Sequence, residues 1–91
     1  AAEAQRHGWV NRVVPAAQLV DEALALARRI TRNAPVAVRE SLQIARQAVD
    51  LDEAALRALS LQARARVQRT EDYREGPRAF IEKRAPRWSG R

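Results

Sequence analysis

The chain has 91 residues, no cysteine, no methionine and one histidine, with 17 basic against 11 acidic residues for a net charge of +6. That length predicts one domain with a modest core, and the missing cysteines exclude disulfides, thiolate metal sites and any His/Cys zinc set. No uncharged stretch approaches the roughly 20 apolar residues of a membrane span and no basic n-region precedes an apolar run at the start, so a soluble, cytoplasmic polypeptide is expected.

The chain opens on AAEAQRHGWVNRVV, a short apolar run with nothing beside it to pair with. Together with the absent methionine this suggests a piece of a longer chain; removal of an initiator methionine before Ala1 would explain the second fact as well. GWVNRVVP, with β-branched and aromatic residues between Gly8 and Pro15, predicts an extended segment, and Pro15 holds Val14 extended. AAQLVDEALALARRITRN then carries Leu19, Ala23, Leu26 or Ala27, and Ile30 at helical spacing, which predicts a helix with one buried stripe that stops near Asn33. Arg28, Arg29 and Arg32 lie in its last turn, where the helix dipole favours cations.

Pro35 opens a second predicted helix, since proline is tolerated at a first helical position, with Val38, Leu42, Ala45 and Val49 as its inner stripe. DLDE offers Asp50 or Asp52 as N-cap for a third, through Leu56, Leu59, Ala63 and Val67. Thr70 can cap a fourth segment, whose first turn gains from Glu71 and Asp72. Within it, Pro77 has no N–H to donate and crowds the carbonyl four residues back, so a kink at Gly76-Pro77 is expected, or a helix that starts afresh there. The result is an all-α fold of three to four helices after a short extended segment. Helices so rich in alanine bury little per residue, and Trp9, Tyr73, Phe80 and Trp88 are expected to need a surface from elsewhere.

Little in the chain reads as a catalytic site. His7 beside Gly8 is the one imidazole that could act as a general base, but no nucleophile or ligand set accompanies it, and a general base needs a positioned partner. The seven glutamates and four aspartates mostly neighbour arginines on helix faces and read as solvated ion pairs. Three glycines at positions 8, 76 and 90 cannot make a phosphate-cradling loop. Arg57, Arg64, Arg66, Arg69, Arg74, Arg78, Lys83, Arg84, Arg87 and Arg91 form a basic half-chain, which reads either as a solvated face or as a set of cations for phosphates or an acidic neighbour. Interleaved Glu71, Asp72, Glu75 and Glu82 argue against nucleic acid as the partner.

Three stretches carry a family pattern. AAEAQRHGWVNRVVP resembles the A-x-E-A-x-x-x-G-L-V-N-x-V-V-P stretch of the crotonase superfamily, the enoyl-CoA hydratases and isomerases. NAPVAV continues the match, and EDYREGPRAFIEKRAPRWSG resembles the closing E-D-x-x-E-G-x-x-A-F-x-E-K-R-x-P-x-W/F-x-G. The resemblance covers the last third of such a protein, in which a β–β–α spiral core precedes a helical extension. It implies that residues 1–15 are the end of that core and its connecting segment, and that residues 16–91 are the C-terminal helical, trimerisation domain.

By the same resemblance, the oxyanion hole and catalytic glutamates lie upstream of Ala1, so no catalytic residue carries over and the chain alone is expected to be inactive. Phe80 is expected to line the acyl or pantetheine region of an acyl-CoA substrate, and Lys83 to approach its adenosine-phosphate end. No cofactor beyond that substrate is implied, and the expected partners are acyl-CoA and further copies, as a trimer or hexamer. Gly76 would allow a close backbone approach and Trp88 would anchor the end. Trp9 replaces the usual leucine, Ser41 stands where many members have lysine, and Pro77 follows the Glu-Gly pair. The expected reaction is hydration of a 2-enoyl-CoA, the alternatives being another crotonase reaction such as isomerisation or dehydration, or a free-standing helical interaction module.

Overall fold

The computed structural model describes residues 1–91 and is all-helical, without a strand. Helix α1 spans Ala2–Arg6, a 3-10 turn Ala16–Gln18 leads into α2 at Leu19–Thr31, and α3 (Pro35–Gln47), α4 (Glu53–Gln68) and α5 (Glu71–Ile81) follow. The chain divides into two units, Ala1–Ile30 and Thr31–Arg91.

In the first unit, α1 is an element that the periodicity did not announce. It ends in a left-handed turn: Gly8 has φ 74°, its N–H bonds Gln5 O at 3.0 Å, and Trp9 N–H bonds Ala4 O at 2.8 Å. Residues 9–11 bend and residues 12–15 run without regular structure, so no strand forms where an extended segment was expected. Arg12 donates to Glu22 on α2, and Val14 faces Leu19, Ala23 and Leu26 across a shallow hollow. The buried stripe expected on α2 is not buried here. Leu19 is 61 % and Ile30 49 % exposed, and only Leu26 is half-covered. An amphipathic helix buries its apolar face only against a second apolar surface, and in this unit the irregular segment 9–15 supplies too little.

In the second unit, α3 packs along α4 and α4 meets α5. Helix α3 begins with Pro35 at its first position, and α4 is capped by Asp52, whose carboxylate accepts from Ala55 N at 2.7 Å. The α4 stripe is as expected: Leu56, Leu59 and Val67 are half-buried and Ala63 is 3 % exposed. The α3 stripe is rotated relative to the expected one. Ala37, Glu40, Ser41 and Ile44 line the groove against Ser60, Ala63 and Val67, while Leu42 is 48 % exposed and Val49, beyond the helix end, 92 %. Of the expected stripe Val38 is half-buried, and of the groove residues Ala37, Glu40 and Ile44 are half-buried while Ser41 stays exposed. Arg66 on α4 then reaches Glu40 with both arms of its fork, Nε to Oε1 at 2.9 Å and Nη2 to Oε2 at 2.7 Å.

Helix α5 starts at Thr70, whose hydroxyl accepts from Tyr73 N at 3.1 Å and donates to Val67 O at 2.7 Å. It runs unbroken to Ile81 with Pro77 inside rather than starting afresh there. The lost hydrogen bond falls on the side of Tyr73 and Pro77, both exposed, where water can take the freed carbonyl. The opposite face is held by the segment that follows, residues 82–91. Trp88 lies on it, with a ring atom 3.6 Å from where a Cβ of Gly76 would stand and its indole N–H bonded to Arg32 O at 2.8 Å. Trp88 therefore finds its cover within the chain, unlike Trp9 at 80 % and Phe80 at 84 % exposure. Gly76 meets the ring at a distance that leaves room for a methyl group, so close approach does not demand glycine there.

Candidate functional site

The end of α5 and the strap 82–91 bring together the residues singled out in the closing motif. Asp72, 3 % exposed, accepts three hydrogen bonds from the strap: Ser89 N at 2.6 Å, Ser89 Oγ at 3.1 Å and Gly90 N at 3.0 Å. Glu71 N donates to Arg91 O at 2.7 Å. Glu75, one turn on, receives the Arg84 guanidinium on both oxygens and the N–H of Arg87 at 2.7 Å. Arg84 also donates from Nε to Glu82 and from Nη1 to Ala85 O.

These bonds set the electrostatics. The Arg84 fork, then the Arg87 N–H, hold the Glu75 carboxyl down at about 2 against an ordinary 4.5, and Glu75 with Glu82 pushes the Arg84 guanidinium further up. A carboxyl whose folded value is depressed stabilises the fold above its unfolded value and ceases to do so as pH falls through the folded one. The melting temperature is therefore expected to drop as pH goes from about 4.5 toward 2, and Glu75→Gln to remove most of that slope. Arg66 lowers Glu40 as well, so a smaller slope should survive in the variant. Thermal circular dichroism across that range decides it, and an unchanged slope in Glu75→Gln would refute the assignment.

Phe80, in the last turn of α5, and Lys83, at the start of the strap, stand apart from these bonds. The inward face of α5 is Asp72, Glu75, Gly76 and Ala79, with Ala79 2 % exposed; Tyr73, Pro77 and Phe80 form an outward stripe. Phe80 is 84 % exposed, and Lys83, just past the helix end, is exposed and makes no ion pair. An open phenyl ring followed within one turn by an ammonium can pack on a non-polar or ring-shaped body and meet an anion.

No catalytic constellation accompanies them. His7, in the first unit, has Trp9 as its ring neighbour at 5.6 Å, and no group of His, Cys, Asp or Glu side chains could hold a metal ion. Every buried side-chain polar atom has a partner, so none is left aimed at a ligand. Of the basic half-chain, Arg66, Arg78, Arg84 and Arg91 are paired with carboxylates, as a solvated charged face would be.

Reading acids as weak surface pairs missed Asp72 and Glu75, which tie down the strap, and missed Arg84. The only local signal is the spacing of Asp72 and Glu75 with Gly76 and Ala79, which puts two carboxylates on the buried face of an amphipathic helix.

A family model for enoyl-CoA hydratase/isomerase matches residues 1–91. The chain is 43 % identical over 95 residues to a carnitinyl-CoA dehydratase of Proteus mirabilis, covering 100 % of the chain and 36 % of that protein. It is 40 % identical over 91 residues to an enoyl-CoA hydratase of Mycobacterium tuberculosis, covering 100 % of the chain and 34 % of the relative. Among solved structures, an enoyl-CoA hydratase from Bacillus anthracis superposes with TM-score 0.95 at 35 % identity, over 100 % of the chain and 35 % of the other. An enoyl-CoA hydratase/isomerase from Mycobacterium paratuberculosis gives TM-score 0.94 at 36 % identity, over 100 % and 36 %. The chain thus spans about a third of the length of the proteins it matches.

Proposed function

Because the chain belongs to the enoyl-CoA hydratase/isomerase family, we propose that it serves as the C-terminal helical part of an enzyme that adds water to a 2-enoyl-CoA. There it contributes to subunit assembly and acyl-CoA binding, and carries no catalytic group. Residues 1–15 are read as the connecting segment and 16–91 as the helical extension. The observation that supports this most is the end of α5, where exposed Phe80 in its last turn is followed by unpaired Lys83 at the start of a strap tied to the helix by Asp72 and Glu75.

In such an enzyme, backbone N–H groups polarise the thioester carbonyl and carboxylates move the protons. The role of these residues is to hold the ligand: Phe80 packs against its non-polar portion and Lys83 meets its phosphates. Exposed Trp9, Leu19, Val20 and Val49 offer apolar surface for the rest of the parent enzyme and for further copies in a trimer or hexamer. No helix is long and apolar enough to cross a membrane, and a cytoplasmic metabolic setting fits the reading. The likeness to carnitinyl-CoA dehydratases favours a second version, in which the parent removes water from a hydroxyacyl-CoA and this part keeps the same role.

Titrating the chain with coenzyme A is expected to shift amide resonances around Phe80 and Lys83. A 2-enoyl-CoA, followed by its thioester absorbance, is expected to persist unhydrated beside it. Turnover by the chain alone, or shifts confined to other residues, would overturn the reading.

A further inference from the structure

An arginine on a helix ordinarily finds its carboxylate three or four residues away on the same face. At the start of α5 it does not. Arg74 stands three residues after Glu71 and beside Glu75, yet makes no ion pair. The strap has taken both acids: Glu71 accepts from Arg91 Nε at 3.1 Å, and Glu75 from the Arg84 fork and the Arg87 N–H. Asp72 is filled in the same way by Ser89 and Gly90. Arg87 gives only its backbone to this arrangement, and its guanidinium is unpaired as well.

Arg74 and Arg87 line one hollow of about 300 Å³ beside α5 and the strap, together with Arg78 and Ser89. Arg78 is held loosely, by Glu82 at 3.4 Å with its side chain 70 % exposed. At about 100° per residue, Arg74 and Arg78 lie a third of a turn or more round α5 from Phe80, so the hollow is no part of the Tyr73, Pro77 and Phe80 stripe.

Charge decides the kind of anion that suits it. Arg74, Arg78 and Arg87 line the hollow, and Arg84 and Arg91 dock onto its acids. Against these five cations stand four carboxylates, Glu71, Asp72 and Glu75 in the lining and Glu82 on Arg78 and Arg84. The one positive charge left over is cancelled by a single carboxylate, whereas a phosphate dianion would be repelled by Glu71 and Glu75. A guanidinium fork also matches the two oxygens of a planar carboxylate.

We propose that this hollow binds one carboxylate group on a short aliphatic stem, between the guanidiniums of Arg74 and Arg87. Two sources share that chemistry, a glutamate side chain of a protein segment and a free short-chain acid.

The test titrates the 91-residue chain with acetate or with a Gly-Glu-Gly peptide blocked at both ends, at constant ionic strength made up with chloride, and follows the arginine Nε–Hε resonances. Saturable shifts are expected at Arg74 and Arg87 and none at Arg57 and Arg64, exposed arginines of α4 that make no ion pair and so report screening alone. Saturation by the peptide at lower concentration than acetate supports the site with a protein-borne carboxylate, and the reverse order supports it with a free acid. Arg74→Gln and Arg87→Gln are each expected to weaken binding about fivefold at an unchanged melting temperature, since neither guanidinium has a partner and the Arg87 N–H stays on Glu75. Glu71→Gln is expected to tighten binding about twofold. Methyl phosphate, a dianion above its second pKa of about 6, is expected to bind more weakly than acetate at about pH 8. Failure of both probes to saturate, equal shifts at Arg57 and Arg64, affinity indifferent to both arginine substitutions, or tighter binding of methyl phosphate overturns the proposal.

Discussion

Asp72→Ala is expected to destabilise the fold by about 3 kcal/mol, because it deletes the acceptor of three hydrogen bonds and leaves two backbone N–H groups without a partner. A loss of that size is a large share of the roughly 5–15 kcal/mol that holds a typical domain together. Asp72→Asn keeps one acceptor oxygen and should cost about half as much. Urea unfolding followed by far-ultraviolet circular dichroism measures both. A midpoint for Asp72→Ala indistinguishable from the parent would mean that the strap contributes nothing to the cooperative unit.

Trp88→Ala should cost about 2 kcal/mol, combining loss of half-buried ring area over Gly76 with loss of the indole bond to Arg32 O. Trp88→Phe separates the two contributions, since it keeps a ring and removes the N–H, and about 1 kcal/mol is expected for it. Circular dichroism is the suitable probe, because exposed Trp9 would contribute to any fluorescence signal. Equal stability of the alanine and phenylalanine variants would show that the ring packing is idle.

What the sequence revealed of this fold is what neighbours along the chain decide. Thr70 and Asp52 read as caps because a side-chain acceptor three residues before an unbonded N–H is a local arrangement, and Pro35 read as a helix start for the same reason. The α4 stripe was legible since one helix face meets one partner. The α3 stripe was legible at half-buried Val38 but not at Leu42 and Val49, which are exposed, while Ala37, Glu40 and Ile44 are half-buried instead. Helix α1 is too short to show a period, and only Gly8 marks its end. Of the kink or restart expected at Pro77, the restart does not occur: α5 continues through it, its neighbouring face anchored by residues further on.

The candidate site divides in the same manner. Phe80 and Lys83 were singled out through a family pattern, whereas bonds that tie down the strap join residues far apart in sequence. Asp72 meets Ser89 across 17 positions and Trp88 meets Arg32 across 56. Such pairings leave no periodic or compositional trace, which is why two carboxylates and an arginine central to the strap looked like ordinary surface charge.

The lateness of that strap in the chain bears on how the molecule is made. Synthesis runs from the amino end, so α5 emerges before Ser89, Gly90 and Arg91, the residues that satisfy Asp72 and Glu71. Until they are released, a charged group meant for the interior has only water to bond, and α5 gains little by settling onto Ala63 and its neighbours. During synthesis the final helix therefore stays unlatched, and open to proteases, until residues 89–91 have followed it out.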